Sequence, residues 1–101
     1  MAYEGASLDA NLAAAAGHDP ALVRELRTAF LESAERQVDL LGRARCDGNW
    51  HVAAMRLKGL AASFHAEGLL QLAEQVIEAA PGDPVILRRL HQMLQDLAVN
   101  P

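Results

Sequence analysis

The chain has 101 residues, 51% of them hydrophobic but only 4% aromatic, and a formal net charge of −4. That length makes one domain able to bury a core without staples, and so few aromatics point to Leu, Ala, Val and Ile packing between helices rather than to a β-sandwich. The acidic balance argues against a nucleic-acid binder, which needs clustered Lys and Arg to neutralise phosphates; here the cations are spread along the chain, with Arg88-Arg89 the one adjacent pair.

Five helical segments follow in order. Ser7 or Asp9 is placed to cap a short first helix through "NLAAAA", which Gly17 ends. Asp19 as N-cap and Pro20 at the first helical position start a second helix that runs to about Arg45. Its apolar positions are Leu22, Leu26, Ala29, Phe30, Ser33, Leu40, Leu41 and Ala44, mostly at three-four spacing. "CDGN" reads as a turn. A third helix then begins at Asn49 or Trp50 and reaches Phe64, where "HAEG" loosens the chain. The fourth carries Leu69, Leu72, Ala73, Val76, Ile77 and Ala80 and stops at Pro81-Gly82. Asp83-Pro84 repeats the cap-plus-proline start, and the fifth holds Val85, Ile86, Leu90, Met93, Leu94 and Leu97. Nothing reads as a strand, a repeat or a low-complexity tail. The expected fold is all-α: one domain over residues 1–101, an antiparallel four-helix bundle with the short first helix capping one end.

Cys46 is the only cysteine, so no intrachain disulfide is expected, and no neighbouring motif marks it as a reactive thiol. The N-terminus carries Glu4 where a secretory signal needs positive charge, and no apolar run approaches the roughly 20 residues that span a bilayer. These features suggest a cytoplasmic protein with no membrane partner, whose two ends read as natural termini. Four scattered histidines do not make a zinc site. With no nucleophile-base pair and no phosphate loop either, neither an enzyme nor a cofactor or small-molecule substrate is expected.

The third helix is the informative one. On a helical projection Ala54, Leu57, Ala61 and Phe64 form a core-facing stripe. His51, Met55, Lys58, Gly59 and Ala62 form a second stripe, which His65 continues. That stripe is shallow, fairly apolar and mildly cationic, and suits a partner's surface. Lys58 is the only lysine in the chain. Gly59 costs up to about 1 kcal/mol relative to alanine inside a helix. Either it lets a neighbouring helix pack closely, or it clears space for something outside the bundle. A methionine in an amphipathic helix is usually core, but here the core positions are already filled, so Met55 is expected to point outward.

The segment "AMRLKGLAASFHAEGLLQLAEQVIE" resembles the signature of histidine-containing phosphotransfer (Hpt) domains of bacterial two-component phosphorelays. That pattern runs alanine, histidine, any residue, leucine, lysine, glycine, serine, alanine, then a hydrophobic residue, glycine-alanine and spaced leucines. Ala54, Leu57, Lys58, Gly59, Ala61, Phe64, Ala66, Leu69, Leu72, Ala73 and Glu78 fall in register with it. The resemblance covers nearly the whole chain and implies a four-helix bundle with a short leading helix. It also places Met55 where the family has its phosphorylated histidine, Leu60 at the usual serine, and His65 at the glycine before Ala66. A thioether offers no nucleophilic nitrogen, so the implied phosphoacceptor site is dead.

Three functions follow from this reading. The first is a signalling module that cannot carry phosphate and binds a response-regulator receiver domain or a histidine kinase. Met55, Ala62 and Leu60 would be apolar contacts, Gly59 would give clearance, and Lys58 would meet acidic groups, with His51 and His65 at the margins. The second is an active phosphocarrier using His51 or His65 in place of the lost histidine. The third is a plain helical interaction or oligomerisation domain.

Overall fold

A computed structural model describes the backbone of residues 4–99 and the side chains of residues 8–98. Five helices make up its regular structure: α1 (Glu4–Ala15), α2 (Pro20–Arg43), α3 (Asp47–Ser63), α4 (Glu67–Glu78) and α5 (Pro84–Val99). The described residues contain no strand, and none of their helices is long and apolar enough to cross a membrane.

The two Asp-Pro starts work through the same local chemistry. Asp19 Oδ1 accepts from the N–H groups of Ala21 at 3.0 Å and Leu22 at 3.5 Å. Asp83 Oδ1 accepts from Val85 N–H at 2.9 Å and Ile86 N–H at 3.4 Å. Each carboxylate satisfies donors that the first helical turn leaves unpaired, and the proline that follows has no N–H to satisfy. Elsewhere the boundaries differ from the sequence expectation. α1 already runs from Glu4, so neither Ser7 nor Asp9 is its N-cap, and the side chain of Ser7 lies outside the described residues. The "CDGN" stretch is not a separate turn: α2 ends at Arg43, and Asp47, Gly48 and Asn49 form the first turn of α3. An acidic residue there suits the positive end of the helix dipole.

α1 and α3 close with a shared geometry. Behind α1, Gly17 has φ +64°, and the next N–H, from His18, reaches back to the Ala13 carbonyl at 2.8 Å. Behind α3, His65 takes the left-handed position with φ +55°, its N–H bonds the Ala62 carbonyl at 3.2 Å, and Ala66 N–H bonds the Ala61 carbonyl at 2.9 Å. This paired closure satisfies the last carbonyls of the helix, and its left-handed residue is usually glycine. The break between α3 and α4 therefore falls at Phe64–Ala66, just before the "EG" of "HAEG".

α2 packs against α3 and α5, α3 against α4, and α4 against α5, while α1 lies on α2 and α5. One apolar cluster fills the centre, with contributions from all five helices. On α2 the buried residues are Phe30, Ala34, Val38 and Leu41. The expected stripe holds at Phe30, Leu41 and Ala44, but Leu22, Ala29 and Leu40 are exposed, and Ala34 and Val38 take inner positions it left out. Steps of four, four and three from Phe30 keep one azimuth over this long helix, whereas a stripe fitted to the largest apolar residues drifts off it. On α5, Val85 is likewise exposed. The Phe30 and Phe64 rings meet at 4.9 Å between centroids, tilted by 46°, and fasten the end of α3 to α2. Arg27, nearly buried, bonds both the Asp9 carboxylate of α1 and the Leu97 carbonyl of α5, so one guanidinium links three helices.

Candidate functional site

The inner face of α3 is fully used by the fold. Trp50, Ala53, Ala54, Leu57 and Ala61 are buried, and the Trp50 indole N–H donates to the Val76 carbonyl of α4 at 2.8 Å. Phe64, expected on this stripe, is only partly buried, because it is the C-cap and its backbone has left the helix.

The opposite face is open. Met55 is 44% exposed, and His51, Gly59 and Ala62 are exposed around it. Lys58 is half-buried, and its ammonium makes no hydrogen bond or ion pair with the described residues. Close packing of a neighbouring helix does not account for Gly59. A Cβ built there meets nothing within 4 Å, so no helix of this protein needs the glycine for close approach. The Ser63 hydroxyl donates to the Gly59 carbonyl at 2.9 Å. Leu60 is half-buried and packs on the core.

The structure treats the two histidines of this stripe differently. His51 lies on the helix one turn before Met55, but seven residues from Lys58, about 10 Å along the axis. Two helical turns therefore separate His51 from Lys58, against one turn between Met55 and Lys58. His65 does not continue the stripe: α3 ends at Ser63, and His65 sits in the left-handed turn, where its carbonyl accepts a bond from the Asn11 amide at 3.3 Å. Met55 and Lys58 are the pair that the helix brings together, three residues or about 4.5 Å of rise apart.

Two exposed apolar residues next to this face were not singled out in the sequence. Val52 on α3 is 47% exposed and Leu40 on α2 is 43% exposed. They border a trough along the α2–α3 seam that Arg43, Asn49 and Arg56 also line. Val52 stands three residues before Met55, so the signal was present at helical spacing, but the partnership with Leu40 exists only in three dimensions. Residues 40–66 hold four of the nine cations and one of the thirteen acids, giving +3, against −7 for the rest of the chain. Asp39, bonded to Arg43, and Glu67 flank that stretch, so its positive excess comes from Arg43, Arg45, Arg56 and Lys58 set between two acids.

No group of three or more His, Cys, Asp or Glu among the described residues could hold a metal ion. Cys46 is an exposed free thiol at the start of α3. The described residues thus form an all-helical protein in which the outer side of α3 faces solvent. No family model, curated protein or solved structure matches the chain.

Proposed function

We propose that the chain is a docking module built like a histidine-containing phosphotransfer domain but lacking the phosphoacceptor. It binds a response-regulator receiver domain, or a histidine kinase, through the outer face of α3. The observation that carries this reading is the exposed Met55 beside Lys58 and Gly59, on a helix side against which none of the described residues packs. Two further features support it. The ring of contacts from α2 through α3 and α4 to α5 and back to α2 suits an antiparallel four-helix bundle capped by α1. The position where the Hpt pattern has glycine before Ala66 has φ +55°, the conformation that glycine accepts most readily.

Phosphoryl transfer to such a module needs an exposed imidazole nitrogen to attack phosphorus, and a cation to hold the oxygens as the aspartyl P–O bond breaks. Here the cation remains and the nucleophile does not. The module acts by occupancy: it covers a receiver's acidic pocket or competes with a phosphotransfer partner, and it catalyses nothing. Lys58 supplies the charge, while Met55 and Ala62 supply apolar contact that adapts to the partner's shape.

Native mass spectrometry of the chain mixed with phosphorylated receiver domains from the same genome tests this. The expected result is a complex without a phosphoryl adduct on this chain. An adduct that disappears in His51→Gln would instead make the protein an active carrier. Absence of any complex, with kinases as well as receivers, would leave a plain helical bundle.

A further inference from the structure

We infer that the partner's footprint extends past the Met55 ridge into the α2–α3 seam, where an apolar side chain enters between Leu40 and Val52 while flanking carboxylates pair with Arg43 and Arg56. This rests on the docking reading above and names what decides which partner binds.

Four observations carry it. Leu40 and Val52 are large apolar side chains exposed to 43% and 47%, on two different helices, and they border one trough. Two arginines line that trough beside them. Arg56 makes no hydrogen bond or ion pair with the described residues, and the bond from Arg43 to Asp39, at 3.1 Å, lies between side chains 74% and 57% exposed. An ion pair so exposed is worth little, so Arg43 exchanges it readily for a carboxylate held in a drier interface. Residues 40–66, between Asp39 and Glu67, carry +3 in a chain of −4, and Asp39 is the one acid that meets a trough arginine among the described residues.

The charge selects the occupant. A second copy meeting this seam about a two-fold axis would set arginine against arginine, because the same patch faces itself in such a dimer. An acidic surface with one protruding apolar residue matches it in both respects. Guanidinium groups also bind carboxylates through two parallel N–H donors, giving the seam a directional preference that Lys58, a point charge, lacks. Lys58 then serves any acidic pocket, and the arginine pair discriminates among partners.

The test uses a receiver domain that forms the complex described above, with the isotope-labelled chain followed by NMR and the affinity measured by calorimetry. The expected result is amide shifts at Leu40, Arg43, Val52 and Arg56 as well as around Met55. The double reversal Arg43→Glu/Arg56→Glu should weaken binding at least tenfold, more than Lys58→Ala does, while the variant keeps its helical circular dichroism and a cooperative unfolding transition, with only the small loss of stability that breaking the exposed Asp39 pair brings. Shifts confined to Met55, Lys58 and Ala62, with less than a twofold effect of the reversal, would overturn the seam inference and leave the docking reading standing. Self-association of the chain alone that the reversal abolishes would overturn it in favour of a second copy. Failure of every receiver domain and kinase to bind would remove the docking reading, and the seam inference with it.

Discussion

The two faces of α3 obey different rules, although they share seventeen residues of one helix. On the inner face, each residue type follows from its surroundings. Alanines at 53, 54 and 61 let α2 and α4 come close, Leu57 fills the centre, and Trp50 both packs and finds an acceptor for its N–H. On the outer face nothing in the protein accounts for the residues present. Gly59 has empty space where a Cβ would stand, Lys58 has no partner among the described residues, and Val52 and Met55 leave apolar surface in water. Where the fold explains a residue, no other reason is needed. Where it does not, the explanation is to be sought outside the chain.

Substitutions on the two faces should therefore separate stability from binding. Leu57→Ala, at a side chain with no exposure, should lower the unfolding free energy by about 2–5 kcal/mol in urea titration, with the cavity adding to lost transfer energy. A loss below about 1 kcal/mol would mean that the core is looser than described. Trp50→Phe removes the bond to the Val76 carbonyl and some volume, and should cost about 1–2 kcal/mol by the same assay. Because Ala79 N–H also donates to that carbonyl, the acceptor is not left bare.

Two changes should sharpen the contrast by stabilising the protein. His65→Gly relieves a left-handed residue, and the gain should be about 0.5–1 kcal/mol after the greater freedom of glycine in the unfolded chain is counted. A destabilised variant would show that the imidazole makes a contact worth more than the backbone relief. Gly59→Ala should add a similar amount, about 0.5–1 kcal/mol, because the new methyl meets no neighbour. That variant should also bind a receiver domain less well, so a rise in stability paired with a fall in affinity marks the glycine as serving a partner. Met55→Ala should shift stability least, by less than about 0.5 kcal/mol.

Much of this fold was legible because its punctuation is local. Asp19-Pro20 and Asp83-Pro84 announce helix starts through chemistry contained in a few residues, and both carboxylates cap as expected. The core stripe of α3 was readable through Ala54, Leu57 and Ala61. The errors lie where local signals compete or where distant residues decide. The end of α3 was legible to within a residue, but His65, expected to continue the stripe, stands in the left-handed turn behind it. On α2, the small Ala34 and the β-branched Val38 are buried while the larger Leu40 is not, an ordering set by which side α3 and α5 occupy. The outer face of α3 was readable as a set of positions, yet its openness at Gly59 and its continuation into the seam with Leu40 required coordinates. The link from Arg27 to Asp9 and Leu97 had no sequence signal, because its partners stand 18 and 70 residues away.

The central proposal is that the outer face of α3 is a docking face like that of a phosphotransfer domain, with Met55 standing where the nucleophile would be. Met55→His tests it most directly, since it returns an imidazole to a 44% exposed position about 4.5 Å of rise from Lys58. Wild type and variant are each incubated with phosphorylated receiver domains, and acid-labile, base-stable label on the chain is measured. The account predicts label on the variant and none on the wild type. Label on the wild type, or none on a variant that still forms the complex, would contradict it.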